Sequence, residues 1–324
     1  MSPRCTDQEF IEIWNRHKSV SLVDKELNLA PTNVHTRKRR IEKRHGVRLL
    51  TVDPRRPSYD QSMLITADRV EVKLGLKNGI ILAGGDFHFH PSYVPTMHRA
   101  MCYLAKKLKP YAIVWNGDVA DFPQISRHPS IGWENYPTVA KELEIMGDRS
   151  KEIMDAAPMS KKIWTAGNHD LRFESRLAAM AGEYKGVKGI HLKDHFPEWT
   201  PSWFVTVNEG AESHTEIRHR EKGGVHASYN NTKESGITMV TGHDHRADVV
   251  AYDDRRGRRY GVRHGMGADS CRGPQFVNYL EGKKTNWQAA LAVLTYKDGA
   301  LLFPELALRW DDEAFQFRGE VIKV

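Results

Sequence analysis

"IWTAGNHD", Ile163–Asp170, is a short apolar run that leaves on Gly167 and then sets an amide, an imidazole and a carboxylate side by side. A single cluster of this kind is ordinarily a polar turn. Its meaning depends on whether matching clusters recur, and three do. Gly79–Ala83 leads to Gly85-Asp86-Phe87-His88, and Ala112–Trp115 leads to Gly117-Asp118-Val119-Ala120-Asp121. Ile237–Val240 leads to Gly242-His243-Asp244-His245. Helical patterns near Pro95–Leu108, Val139–Ala156 and Leu171–Ala181 separate these runs, which predicts an α/β domain. Ligands of open α/β sheets collect outside the carboxyl ends of the strands, so all four clusters are expected to face one crevice.

The residue types suit a metal centre. Asp86 with His88, and His243 with His245, are i, i+2 pairs, which project to one side of an extended backbone. Carboxylate and imidazole donors together suit Mn²⁺, Fe or Zn²⁺, and the set is too large for one ion. A carboxylate can bridge two cations roughly 3.5–4 Å apart. Asp118, preceded by Gly117, is best placed to do so.

DFH, GDVAD, GNHD and GHDH resemble, in the same order, the signature set of the calcineurin-like metallophosphoesterases, over about residues 79–270. The resemblance implies a four-layer sandwich of two mixed β-sheets flanked by helices, with a dinuclear site at their edge. It implies two divalent ions, Mn²⁺ foremost, with Fe or Zn²⁺ open. Asp86, His88 and His245 would hold one ion and Asp118 would bridge, while Asn168, His243 and one further histidine would hold the second. His169 would sit over the substrate without ligating, stabilise the transition state and protonate the leaving oxygen, with Asp121 orienting it. The family's usual His-Gly between the third and fourth motifs is missing here. His219, at the end of the strand-like "HTEIRH", is favoured for the further histidine, although Arg220 stands where the Gly would be; His226, opening a helix, stays open. His191 and His214 read as surface histidines.

The first fifty residues have a different pattern. Thr6-Asp7-Gln8-Glu9 fits a capping box, with Phe10, Ile13, Trp14 and His17 following at helical spacing. Ser19 or Ser21 can cap a second helix carrying Val20, Val23 and Leu27, broken at Asn28–Pro31. A third helix is expected from about Thr32 to His45, ended by Gly46. Between Arg37 and Arg56 lie nine basic residues (Arg37, Lys38, Arg39, Arg40, Lys43, Arg44, Arg48, Arg55, Arg56) against Glu42 and Asp53. That local excess equals the net charge of +7 for the whole chain. Such a stretch attracts a polyanion. "RKRRIEKRHGVRLL" resembles the recognition helix, and the segment after it, of small DNA-binding domains in some phage proteins. Arg37, Lys38, Arg39, Arg40, Lys43 and Arg44 are therefore the expected nucleic-acid contacts.

The expected organisation is a small all-α helix-turn-helix domain at 1–50, a linker and lead-in at 51–75, and an α/β phosphoesterase domain at 76–324. The last forty residues alternate like antiparallel strands and suggest a second sheet. Cys5, Cys102 and Cys271 are scattered and read as reduced thiols. No apolar run approaches a membrane span, and the first residues lack a signal-peptide core, so a cytoplasmic protein without a membrane partner is expected; no feature sets its oligomeric state. Among phosphoesters, the protein phosphatases of this family follow the second motif's last Asp with Arg, whereas Phe122 and Pro123 follow Asp121. Asp170 in place of Glu also matches the nuclease and phosphodiesterase branches. Arg172 and Arg127 are candidate phosphate contacts. A second basic element, "DDRRGRRYGVRH" (Asp253–His264), reads as a hairpin. It is either a backbone track over the metal site using Arg255, Arg256, Arg258 and Arg259, or a solvated hairpin balanced by Asp253 and Asp254. The leading expectation is a metal-dependent phosphodiesterase acting on DNA, a nuclease or end-processing enzyme. The alternatives are a phosphomonoesterase, a cyclic-nucleotide phosphodiesterase, or a DNA-binding regulator with a phosphoesterase scaffold.

Overall fold

The computed structural model describes residues 5–47, 49, 71–128, 135–269 and 285–324. The expected linker at 51–60, with Arg48, Arg55, Arg56 and Cys271, lies outside the described residues. The chain divides into two compact units, Met1–Leu64 and Ile65–Val324.

Three helices form the first unit: α1 (Asp7–His17), α2 (Val20–Leu27) and α3 (Pro31–His45). Thr6 and Glu9 cap α1 reciprocally: the Thr6 hydroxyl accepts from the Glu9 N–H at 3.2 Å, and the Glu9 carboxylate accepts from the Thr6 N–H at 2.7 Å. Ser19 precedes α2, but its hydroxyl meets Ser21 Oγ at 3.0 Å and makes no cap bond. Asn28, left-handed at φ 50°, ends α2, and Gly46 at φ 65° ends α3. The apolar faces meet in a core of Phe10, Trp14, Val23, Val34, Ile41 and Leu49.

In the second unit, strands β1 (Val72–Leu74), β2 (Gly79–Gly84), β3 (Ala112–Asn116), β4 (Lys161–Thr165), β5 (Thr200–Ser202), β6 (Phe204–Val207), β7 (Thr215–Arg218) and β8 (Thr238–Thr241) are followed by a hairpin, β9 (Ala247–Asp254) and β10 (Gly257–His264). β11 (Ala290–Lys297), β12 (Ala300–Leu301), β13 (Glu305–Arg309), β14 (Ala314–Phe317) and β15 (Glu320–Lys323) complete it. One sheet runs β15-β14-β13-β11-β2-β3-β4-β5, with β12 paired to β11; the other runs β1-β6-β7-β8-β10-β9. Both mix parallel and antiparallel pairs. The C-terminal strands therefore extend the sheet of β2, β3 and β4 and do not build a second one. β1, read as lead-in, pairs in parallel with β6.

Alternation along the inner strands explains their continuous apolar runs. Ile81, Ala83, Val114 and Ile163 point between the sheets, where Val205, Val207, Ile217, Val240 and Val262 meet them. Leu82, Ile113, Trp115 and Trp164 point the other way, onto α4 (Thr96–Leu108) and α5 (Val139–Ala156) through Met97, Met101, Leu104, Met146 and Ile153. The indole of Trp115 stacks on that of Trp199 with centroids 3.7 Å apart. Strands buried on both faces lose the polar half of a period-2 pattern. With α8 (Ala227–Ser235) against β10, the layers run helix, sheet, sheet, helix. Two shorter helices complete the unit, α6 (Asp170–Met180) and α7 (Leu192–His195).

Trp14 is fully buried in a core of few large side chains. Trp14→Ala is expected to cost the first unit about 3–5 kcal/mol, the usual penalty for emptying an aromatic site. Calorimetry should show its transition lowered or lost while that of the second unit stays in place. One shared transition moving as a whole would show that the units unfold together.

Candidate metal centre

All four clusters lie just beyond strand ends, and their backbone is not extended. Asp86 (φ 52°), His88 (φ 42°), Asp118 (φ 49°), Phe122 (φ 49°), His243 (φ 72°) and His245 (φ 58°) are all left-handed. The i, i+2 pairs thus converge through tight turns, not through the pleat of a strand. Non-glycine residues in this region carry strain that surrounding structure must hold, and such residues gather at functional sites. Three clusters follow β2, β3 and β4 of one sheet; the fourth follows β8 of the other. The crevice is the seam between the sheets.

Three groups of three donors converge there. Asp86, His88 and His245 form one and Asp118, His219 and His243 another, while His88, Asp121 and His169 form a third that shares His88 with the first; donor atoms in each group lie within 4.8 Å of one another. Asp86 Oδ1 lies 3.2 Å from His245 Nε2, and Asp86 Oδ2 accepts from the His243 N–H at 3.0 Å. One carboxylate thus positions both residues of the fourth motif. Asp118 Oδ1 accepts from the His169 N–H at 2.7 Å, leaving Oδ2 facing His219 Nε2 at 3.0 Å. His219 Nδ1 donates to the Asn116 carbonyl at 2.7 Å, which turns Nε2 toward the cluster, the second-layer contact ordinarily found behind a ligating histidine. His226 is exposed at the start of α8 and outside these groups.

Two glycines make the approach possible. A Cβ on Gly117 (φ 78°) would lie 2.4 Å from His219 Cγ. One on Gly167 would lie 2.1 Å from the Asp118 backbone nitrogen.

His169 belongs to the third group. Its Nδ1 meets Asp121 Oδ1 at 2.5 Å, and its Nε2 lies 3.9 Å from Asp118 Oδ2. Burial works against charge on Asp121, but hydrogen bonds from His169 and His88 hold its carboxyl well below the usual range. Arg172 lies against Asp121 and His169, and Arg127 is exposed.

Other residues of this shell carry no mark in the sequence. Glu142, buried on α5, accepts from the Phe122 N–H at 2.7 Å and the Asp121 N–H at 3.2 Å, fixing the turn that aims Asp121. Burial pushes its carboxyl up to about 8. Asn116 Nδ2 donates to the Arg218 carbonyl at 2.9 Å and meets His264 Nε2 at 3.0 Å, tying β3 to the ends of β7 and β10. Burial pulls His264 down to about 4, so it is neutral.

Other expected features lie elsewhere. β10 runs parallel to β8, with Arg263 beside Thr241, so His264 is near the centre and the arginine-rich turn is at the far end. At about 3.3 Å per residue, the seven-residue step from His264 to Gly257 spans roughly 23 Å. Arg258 grips Asp253 (Nη2 to Oδ2, 3.0 Å), and Arg259 pairs with Asp254 at 2.5 Å. Arg258 and Arg259 are thus balanced by the hairpin's own acids, and its turn does not overhang the site. His191 and His214 are half-buried, and His191 Nδ1 contacts Glu174 at 3.1 Å. A further trio, His98, Cys102 and Glu152, joins α4 to α5, but Arg149 already pairs with Glu152 at 3.0 Å. Burial pushes the Cys102 thiol up to about 12, so it stays protonated. In the first unit, Arg37 lies over Phe10 at 5.2 Å, Lys38 over Trp14 at 5.0 Å, and Arg44 pairs with Asp7 at 2.8 Å. Arg39, Arg40 and Lys43 are exposed on α3.

The calcineurin-like phosphoesterase profile matches residues 80–247, more than half of the chain and all four clusters. The chain belongs to the calcineurin-like phosphoesterase family. It is a metal-dependent phosphoesterase. The Gene 54 protein of Mycobacterium phage L5 is 26% identical over 220 residues, which cover 61% of this chain and 81% of that protein. Among solved structures, a single mutant of Vps29 from Entamoeba histolytica is 12% identical, with a TM-score of 0.39, over 76% of this chain and 99% of that one. Wild-type Vps29 from the same organism, complexed with Zn²⁺, is 13% identical with a TM-score of 0.36, over 75% of this chain and 96% of that one.

The residues present fit the divalent metal that the phosphoesterase family implies. Asn168 Oδ1 is buried without a hydrogen-bond partner among the described residues, and Asp86 Oδ1 and His219 Nε2 face only other prospective ligands, His245 Nε2 at 3.2 Å and Asp118 Oδ2 at 3.0 Å. A buried donor or acceptor left in this state costs about 1–3 kcal/mol, which a coordinated cation would offset. Asp86, His88 and His245 would hold one ion, Asn168, His219 and His243 the other, and Asp118 would be shared between them.

Burial works against charge on His219, but the Asp118 and Asp86 carboxylates outweigh it and raise the imidazole to about 9. Without metal, the ring therefore holds a proton at neutral pH, and a ligating Nε2 must lose it. Loading at pH 7.5 is expected to release about one proton from this ring, and affinity should rise with pH up to about 9. Titration calorimetry in buffers of different ionisation enthalpy measures the release, which His219→Ala should remove. Affinity flat between pH 7 and 9 would contradict the assignment.

Proposed function

We propose that the chain hydrolyses phosphodiester bonds in DNA and that α3 supplies the contact to the nucleic acid. The observation that carries this reading is the uncommitted basic face of α3. Arg37, Lys38 and Arg44 are engaged within their own unit, whereas Arg39, Arg40 and Lys43 point to solvent with Thr32, Asn33 and Thr36. α3 follows α2 after a turn of three residues, Asn28–Ala30, the spacing of a helix-turn-helix, whose second helix enters the major groove. Phe122, buried where protein phosphatases of this family carry arginine, favours a diester over a monoester.

Two divalent cations, with Mn²⁺ the first choice, would supply an acidified water and neutralise charge on the phosphate. The protein's own part falls to His169. Asp121 accepts from its Nδ1–H and so keeps Nε2 turned toward Asp118, where a bound phosphate would lie. Burial lowers the His169 imidazole, but Asp118 and Asp121 outweigh it and raise it above its ordinary value. These carboxylates thus favour the protonated ring, the form whose Nε2 can give a proton to a leaving oxygen. His169→Ala is expected to keep metal while lowering turnover by on the order of 10²–10⁴. The loss should be smaller for nitrophenolate, which departs without a proton; elemental analysis showing lost metal would make His169 a ligand instead.

Removal of residues 1–50 takes away α1–α3 and none of the donor groups. Hydrolysis of bis-p-nitrophenyl phosphate should continue nearly unchanged. Affinity for duplex DNA should fall and its dependence on salt should flatten, because fewer phosphate contacts release fewer counterions. Binding titrations at two or more salt concentrations test this. Equal affinities and equal slopes for both proteins would leave the phosphoesterase without the DNA.

A further inference from the structure

Arg172 is set one helical turn after His169, on α6. Its Nη1 donates to the Asp121 carbonyl at 2.7 Å, and its Nη2 lies 3.3 Å from His169 Nε2. The guanidinium shares its one close carboxylate: Asp121 Oδ1 pairs with Nη1 at 3.5 Å and also binds His169 Nδ1 at 2.5 Å. Side-chain exposures of 20% for Arg172 and 22% for His169 leave both open to the crevice.

An arginine nitrogen is always a donor, so at 3.3 Å His169 Nε2 accepts from Nη2. When Nε2 is given over to a leaving oxygen, that N–H needs another acceptor beside it, and an anionic one suits it best. The acid marks the side on which the leaving group departs, so the fixed positive charge lies on that side too. A strand of nucleic acid provides such an acceptor, because the leaving nucleoside carries the next phosphate. Arginine is suited to that role, with planar N–H groups and a charge that cannot titrate away.

We propose that Arg172 binds an anionic group carried by the leaving portion of the substrate, and so selects diesters whose leaving group is itself charged. The inference rests on His169 being the acid, but it does not require the substrate to be DNA. It also supplies a cation from α6, where the second motif's usual arginine is replaced by Phe122.

The test uses the full, metal-loaded chain and two synthetic diesters of matched shape, bis(4-carboxyphenyl) phosphate and bis(4-carbamoylphenyl) phosphate. Their leaving groups differ in charge and little in size. Arg172→Gln is expected to lower kcat/KM for both, and to lower it about 10- to 100-fold further for the carboxylate diester, the usual worth of a charge-assisted hydrogen bond. Arg172→Lys should keep part of that preference. In the wild type, the carboxylate-to-carboxamide ratio should fall as NaCl rises from about 50 to 500 mM, which needs no variant. Equal losses on the two diesters with metal content intact would make Arg172 a positioning residue for Asp121 and His169 only. A ratio that does not move with salt would equally overturn the proposal. If the aryl diesters are cleaved with the expected preference while DNA is not, the DNA reading fails and the role of Arg172 stands.

Discussion

The carboxylate of Asp170 holds two of the site's loops together. It accepts from the Val119 N–H at 2.9 Å, the Ala120 N–H at 3.3 Å, the Gly167 N–H at 3.1 Å and the Trp164 indole at 3.0 Å. Those donors come from β4 and from the segments after β3 and β4, so one buried group closes the gap through which Asp118 and His169 reach each other. Burial and the nearby Asp118 charge push its carboxyl up to about 6, against the pull of Trp164 and Gly167. A buried charge is tolerable when its lone pairs are filled, and Asp170 shows how. The clasp helps to hold Asp118 at φ 49°, together with the His169 N–H on its Oδ1 and the His88 N–H on its carbonyl.

Around that clasp the side chains are arranged in rings. Asp86 and Asp118 each use one oxygen to receive a backbone N–H of a neighbouring motif and keep the other for the centre. Asn116, Glu142 and His264 then fix the residues that fix the donors. Geometry held to this degree is what acid catalysis demands, because a misplaced donor loses its effect faster than a misplaced wall. The phosphoesterase assignment and the arrangement of the residues therefore support each other from different directions.

The four motifs were legible because each is local: an apolar strand, a glycine and polar residues in a row. His219 was legible for the same reason, as a histidine at a strand end. What the sequence hid was non-local. Glu142 sits in an ordinary amphipathic helix, and its role comes from Phe122, twenty residues away, folding back on it. The destination of β11–β15 depended on β11 pairing with β2, which no alternation pattern encodes. The direction of the arginine-rich hairpin followed from β10 lying parallel to β8, a choice of partner again. Pattern also misjudged the ligand pairs, since i, i+2 spacing reads as strand until the left-handed angles are seen. In the first unit the count of basic residues was visible, but not which of them would be used up on Phe10, Trp14 and Asp7.

Ligands drawn from both sheets give the metal a part in the architecture. Three motifs belong to the sheet of β2, β3 and β4, and His219, His243 and His245 to the other. Ions held by all of them would rivet the two sheets at one end of a seam that the hydrogen bonds of Asn116 and the aliphatic layer also hold. Because cations held there would bind the closed sandwich and not its separated halves, free metal concentration would become a term in the stability of the fold. A chelator would then loosen the protein from the crevice inward, before the aliphatic layer behind it gave way.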